Sequence, residues 1–411
     1  MRPLRQAQAT VLSGVRQLPV TEITLDEALG LVLAEEVRAP HDVPPFANSA
    51  MDGYAVIAAD IAAAPATLSV IEEVAAGRVP TTTVTPGSAI KIMTGATIPD
   101  GADAVVPVEV TRQEGDRVEI LEAVPKGASV RAAGGDVAAG ATVLRTGERL
   151  GPAHLAVLAS IGVGRVKTYR RPRVAIMSTG DELRPPDTAE LGPGQIRDTN
   201  RPLLAALLSE LGVEVIDLGI IPDDEQTLRS ALLRASAEAD AVVTSGGVSM
   251  GEYDLVKQLV GELGGIEVWQ TAMQPAKPFA FGRLGGTPFF GLPGNPVSVM
   301  VAFEQFARPA LLQMMGAEKL FRPRVSGVLV GGAETDPAKT VFLRVRTWWE
   351  DGTLHAESSG GQSSNVLSAL AAADAFAVVP EGVSTVPAGG PVVLEMFRQA
   401  ESRTADEALA Q

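Results

Sequence analysis

Between Arg173 and Leu263 the chain alternates between short apolar runs and amphipathic stretches, and few folds accommodate that alternation. Residues 174–177 read as a buried strand, and 202–211 as a helix with Leu203, Leu204, Leu207, Leu208 and Leu211 on one face. The cycle repeats with a strand at 213–221, a helix at 224–238 carrying Leu228, Ala231, Leu232 and Ala235, a strand at 241–244 and a helix at 255–263. Strand, crossover helix and next strand in this order predict a doubly wound parallel sheet. Ligands of such sheets bind beyond the carboxyl ends of the strands, so the loops after Met177, Ile221 and Thr244 are where chemistry is expected.

A chain of 411 residues is too long for one compact core, and an α/β protein of several domains is expected. Thr24 and Glu27 have capping-box spacing, and Leu25, Ala28, Leu29, Val32 and Leu33 recur at helical intervals, predicting a helix over 25–36. Short β-rich runs follow at 67–74, 89–93, 104–110 and 117–124, separated by Gly, Pro and Asp, before a helical pattern resumes at 152–161. The expected organisation is a discontinuous helical and extended domain over 1–40 and 141–170, interrupted by an inserted β-rich domain over 41–140. The α/β domain covers 171–320 and ends in a long helix at 297–315. Strand-like runs at 324–330, 341–349, 354–357, 375–379 and 391–397 predict a small C-terminal β-sandwich or barrel over 321–398. The tail, 399–411, is expected to lack fixed structure.

Composition narrows the chemistry. There are no cysteines, and His41, His154 and His355 are widely separated, which excludes disulfides, thiolate sites and a structural zinc. No apolar run approaches the roughly 20 residues of a membrane span, and the N-terminus lacks a signal peptide's apolar core, so a cytoplasmic protein with no membrane partner is expected. A formal net charge of −15 would repel a nucleic-acid backbone over most of the surface. An anionic ligand would need local lysines, arginines, backbone N–H groups or a divalent cation.

Several segments meet that requirement. Ser245-Gly246-Gly247-Val248-Ser249-Met250-Gly251 runs from a strand into a helix, with glycines for close backbone approach, a helix N-terminus that favours anions and Ser249 as a hydroxyl donor. A strand-to-helix turn needs glycine for geometry alone as well. Asp254, at its end, reads either as a helix N-cap or as a cation ligand. Asp181 and Glu182, after the first strand, and Asp223 and Asp224, after the second, make ordinary turns and caps singly. Together they ring one crevice with carboxylates, which suits Mg²⁺ bridging to phosphate. The 198–202 segment opens a helix and reads first as its cap. Lys277, between two prolines, is either a held ammonium or a solvated loop lysine, and Pro293-Gly294-Asn295-Pro296 is either a site loop or a helix-starting turn. Asp52 is the acidic member of a dense loop, 44–56, that is either a domain junction or a site element.

The runs PPFANSAMDGYAV, IMTGATIPDGADAVVPVE, STGDEL, GQIRDTNRP, SGGVSMGEYD and GLPGNPVSV, in this order and spacing over nearly the whole chain, resemble the molybdopterin molybdenumtransferase family, which includes the C-terminal domain of gephyrin. The resemblance implies an elongated homodimer whose cleft uses another subunit's inserted domain. It implies insertion of molybdate into adenylylated molybdopterin, with Mg²⁺-dependent release of AMP, and a transient contact with the molybdopterin adenylyltransferase. The family's functional positions resemble Asp52 and Thr94 in the inserted domain, and Glu182, Asp223, Ser249 and Asp254 around the crevice. They resemble Lys277, Pro293, Pro296 and Ser298 beyond it, and Arg344 and Ser364 in the C-terminal domain. In these terms Asp52, Glu182, Asp223 and Asp254 are catalytic, the last three as Mg²⁺ ligands. Thr94, Gly246, Gly247, Ser249, Gly251, Pro293 and Pro296 bind the nucleotide-linked pterin, while Lys277, Ser298, Arg344 and Ser364 bind molybdate. Two departures stand out: Ser363 replaces the family's glycine, and Gln270 and Gln274 stand where bacterial relatives often carry lysine. Two other functions fit parts of the chain: a molybdopterin adenylyltransferase using ATP, and a peptide-binding scaffold. The Asp52 segment and the C-terminal β domain, absent from stand-alone adenylyltransferases, weigh against the first, and nothing resembles a receptor-clustering linker, which weighs against the second.

Overall fold

The computed structural model describes residues 1–246 and 255–398. The expected tail at 399–411, and the loop positions Gly247, Ser249, Gly251 and Asp254, lie outside the described residues.

The α/β domain is a six-stranded sheet in the spatial order Glu214–Ile221, Arg173–Thr179, Ala241–Ser245, Thr287–Leu292, Pro278–Leu284, Gly264–Gln270. The first four strands are parallel, as the alternating pattern requires, and the last two run antiparallel to their neighbours. The sequence reading did not place this antiparallel edge, because the hairpin-linked runs at 278–292 follow the last crossover helix. Both faces are covered. Helices Glu225–Glu238 and Leu255–Leu263 pack one face through Leu228, Leu232, Val256 and Leu259. Asn200–Leu211 and the helical run from Pro296 to Met314 cover the other. The N-terminal helix Leu4–Ser13 joins that second layer, burying Leu4, Ala7 and Val11 in the α/β core, so residues grouped in sequence with the discontinuous domain pack on this one.

The discontinuous domain closes where Val20–Thr24 pairs with Arg165–Tyr169 and Val37–Arg38 with Thr142–Leu144. The helix predicted over 25–36 is a single turn, Leu25–Ala28. Its cap forms as read, Thr24 donating its N–H and hydroxyl to the Glu27 carboxylate, but Gly30 at φ 79° ends it. Leu31, Val32 and Leu33 then fill the core in extended form, with Val32 bridged to Arg149 and Leu33 to Thr168. Their 3.6-residue spacing is overridden by the cross-chain partners available on both sides.

The inserted domain is a curled six-stranded sheet, in the order Ala104–Pro107, Gly53–Val56, Ser88–Ile92, Ala66–Val74, Arg117–Ile120, Thr111–Glu114. The C-terminal domain is a barrel rather than a sandwich. Thr340–Glu350, Thr353–Ser358, Arg324–Leu329, Gly390–Met396 and Ala375–Val379 pair in a ring closed between the last and the first. Closure removes the edges a five-strand sheet would expose. Met273–Gln274, from the α/β domain, adds alongside the Thr340–Glu350 strand.

Candidate functional site

A cleft of about 840 Å³ lies between the α/β domain and the barrel. The α/β side supplies Gly246 at the end of the third parallel strand, the loop carrying Lys277, and Pro293, Gly294, Asn295 and Ser298 at the start of the long helix. The barrel side supplies Lys339, Gln362, Ser363 and Ser364. Of the positions named from sequence, Gly246, Lys277, Pro293, Ser298 and Ser364 line this one cavity, although Ser364 is more than a hundred residues from Gly246.

Each wall is held by specific contacts. Asn200 Nδ2 donates to Ser245 Oγ at 2.7 Å and to the Gly294 carbonyl at 2.6 Å, tying the strand end to the Pro293–Pro296 turn. The 198–202 segment is therefore a brace as well as a helix start: Asp198, buried, accepts from Ser178 Oγ and from the Arg201 backbone and guanidinium. Asn295 turns its side chain away from capping and donates to Ser364 Oγ at 2.8 Å, while the Val297 N–H donates to the Ser364 carbonyl. These two bonds fasten the barrel's loop to the helix that carries Ser298. Pro296 starts that helix, where a missing N–H costs nothing, and does not itself line the cavity. Gly246 sits at φ 88°, and a Cβ there would lie 2.8 Å from the Thr179 carbonyl, so only glycine lets the third strand turn out beside the first.

Arg344 is elsewhere than the molybdate wall to which it was assigned. Its guanidinium is wholly buried beneath the 358–364 loop, donating through Nη2 to the Gly361 and Ser363 carbonyls, and it does not line the cavity. Burial draws its pKa down to about 10, and its Nε has no partner among the described residues. It supports the loop that presents Ser364.

The acidic positions form two further groups. At the sheet edge, Asp181 Oδ1 accepts the Asp223 N–H at 3.1 Å, and the Glu182 carboxylate folds back against Gly180. Asp224 is the N-cap of the Glu225–Glu238 helix; Thr227 donates its hydroxyl and N–H to it, holding the carboxyl below its usual value. Among the described residues no group of three His, Asp or Glu converges on a metal-sized point. Asp52 and Thr94 form the other group, in the inserted domain. Gly53 pairs with Ile92 in register, which brings Asp52 alongside the turn that follows Ile92. The Thr94 N–H and hydroxyl both donate to Asp52 Oδ1 at 2.7 Å. The backbone bond first and then the hydroxyl lower the pKa of this exposed carboxyl. Neither residue lines the cleft.

Lys339 and Gln362 are cleft residues the sequence reading did not name, and Asn295 was named only as part of a turn. Asn295 lay inside a quoted run, but Lys339 and Gln362 carry no local signature and reach the cavity only through barrel closure. Gln274 lines the cavity; Gln270, one strand end away, does not. No described helix is long and apolar enough to cross a membrane.

Similarity to known proteins covers the same domains. The family description "MoeA N-terminal region (domain I and II)" matches residues 2–162, "Probable molybdopterin binding domain" matches 175–313, and "MoeA C-terminal region (domain IV)" matches 332–397. The chain is 40% identical over 399 residues to molybdopterin molybdenumtransferase 2 of Mycobacterium tuberculosis, covering 95% of this chain and 98% of that protein. It is 39% identical over 405 residues to the molybdopterin molybdenumtransferase of Haemophilus influenzae, covering 97% and 99%. Among solved structures it resembles the molybdopterin biosynthesis moeA protein from Pyrococcus horikoshii OT3, at 32% identity and a TM-score of 0.81, covering 97% of this chain and 100% of that one.

Proposed function

Because the chain belongs to the molybdopterin molybdenumtransferase family, and is a transferase of molybdenum cofactor biosynthesis, we propose that its interdomain cleft inserts molybdate into adenylylated molybdopterin with release of AMP. The observation that carries this reading is the charge of the cleft. In a chain of formal net charge −15, the charged side chains among its described lining residues are Lys277 and Lys339, and both are cations.

In this reading Lys277 places the main point charge on molybdate, while Ser298 and Ser364 supply hydroxyl donors from the two walls. Arg344 acts from beneath, holding the carbonyls of the loop that carries Ser364. Gly246 and Pro293 line the side that takes the nucleotide-linked pterin, Pro296 starts the helix beside it, and Gly247, Ser249 and Gly251 are assigned to the same substrate. Glu182 and Asp223, with Asp254, would hold Mg²⁺. Hard carboxylate oxygens fit that ion, which takes one or two carboxylates together with substrate phosphate. When bound it would neutralise phosphate charge as the pyrophosphate link breaks. Asp52, kept ionised by Thr94, is exposed and apart from the cleft of its own chain, which suits a homodimer in which each inserted domain completes the partner's site. The working location is the cytoplasm, and the molybdopterin adenylyltransferase docks transiently to pass on its product.

Purified protein incubated with adenylylated molybdopterin, molybdate and Mg²⁺ should release AMP in proportion to molybdenum cofactor formed. Consumption of ATP with molybdopterin, and no AMP release under the first conditions, would make it an adenylyltransferase. Neither activity would favour a binding scaffold.

A further inference from the structure

We propose that Lys339 is a second oxyanion-positioning cation of the cleft, supplied by the barrel, and that Asp336 is the internal counterion an incoming oxyanion must displace. The inference rests on the reading of this cleft as the molybdate side of the site.

Three features of Lys339 bear on this. It lines the same cavity as Lys277, Ser298 and Ser364. Its backbone position is fixed from the α/β side, because Met273 pairs with Thr340 and Gln274 with Val341, and the Thr340 N–H donates to the Ala272 carbonyl at 3.0 Å. That pairing seats residue 339 beside the start of the segment that leads to Lys277, so the two ammonium-bearing walls are joined through backbone and do not drift independently. Finally, the ammonium is engaged: Lys339 Nζ lies 2.7 Å from Asp336 Oδ2.

Asp336 pairs with Lys339 and feels the charge of Lys277 more weakly. Its carboxyl is lowered chiefly by the Lys339 hydrogen bond, then by the Ala338 N–H, with the charges of Lys339 and, more weakly, Lys277 acting in the same direction. Asp336 itself does not line the cleft but lines a neighbouring cavity that meets it at Gln274 and Gln362. A carboxylate behind the wall offsets the lysines without entering the site. A tetrahedral dianion arriving in front competes for the same ammonium and offers more charge. The Lys339 side chain retains 20% of its exposure, enough for the ammonium to turn from one acceptor to the other. As a purely structural pair, Asp336 and Lys339 would close a short turn, and changing either would leave oxyanion affinity alone.

The two roles predict different signs. Molybdate, without pterin, is titrated calorimetrically into the full-length protein and its variants, with melting temperature checking the fold. Lys339→Met should weaken binding by about tenfold, the scale of a partly exposed charge-assisted hydrogen bond, and Lys339→Arg should restore most of it. Asp336→Asn should strengthen binding several-fold, since the competing charge is gone. Should Lys339→Met fail to fold, the Asp336→Asn titration still decides: unchanged or weaker affinity overturns the proposal. Wild-type affinity unaltered in both variants overturns it while leaving the cleft an oxyanion site. No molybdate binding by the wild type at all removes the oxyanion reading of the cleft, and this inference with it.

Discussion

The carboxylate at Asp52 shows how a functional charge is set by one neighbour. It is exposed, so burial does little to it, and the two Thr94 donors on a single oxygen keep it ionised. A carboxyl whose folded pKa is lowered adds stability above its ordinary pKa and loses it as the pH falls through the lower folded value. Thr94→Val removes the hydroxyl and keeps the shape and the backbone donor. The Asp52 titration midpoint, followed by carbon NMR, should therefore move up and remain below the ordinary value. A midpoint that stays where it was would mean that the backbone N–H alone controls this group. Arg344 is the opposite case. It is wholly buried and donates to two loop carbonyls, so its charge holds a segment of backbone.

At the scale of elements, the run from Pro296 to Met314 does more than the predicted helix over 297–315 required. Its middle, Phe303–Ala307, is a π-helical turn. That turn directs two polar residues into the core, since widening the backbone by a residue per turn rotates side chains away from the regular helical positions. Glu304, with no exposed side-chain surface, accepts from Arg322 Nε and Nη2 at 3.0 and 2.9 Å and lies 3.7 Å from Arg308. Gln305 joins Gln8 of the first helix to Glu395 of the barrel. The helix that carries the cleft residue Ser298 is thus pinned to the other domains about two turns later. Glu304→Leu would leave two largely buried guanidiniums without their acid, a loss of about 3–5 kcal/mol for a broken buried pair. Thermal unfolding should begin several degrees lower, and an unmoved transition would show that another acid, such as Glu210, takes over Arg322.

For the whole molecule, the decisive relation is between the inserted domain and a cleft whose described lining includes none of that domain's residues. In the proposed homodimer, Asp52 of one subunit serves the Lys277 wall of the other. Mixing Asp52→Ala protein with Lys277→Met protein should recover up to about half of wild-type activity in each heterodimer, because one of its two sites then carries both native residues. Absence of recovery after subunit exchange has been verified by mass would place Asp52 and Lys277 in the same chain's site.

How much of this was legible in the sequence follows from the range over which each interaction acts. Strand and helix identity in the α/β domain is local, set by periods of 2 and 3.6, and the alternation from Arg173 to Leu263 determined the parallel sheet and the edge where its loops gather. Local sequence likewise made Lys277, Ser298 and Asp52 candidates, Lys277 between two prolines in a loop, Asp52 in a dense loop and Ser298 just inside a helix that opens with Pro296, because the chemistry of such positions depends on immediate neighbours. The 25–36 segment failed because its apolar spacing serves a helix and an extended core strand equally, and only partners at Arg149 and Thr168 select between them. Lys339 in the cleft and Arg344 beneath it were decided by barrel closure and by the docking of Met273–Gln274 on the barrel strand. Those contacts join residues tens of positions apart, and no local pattern encodes which side chain a closing sheet will turn toward a neighbouring domain.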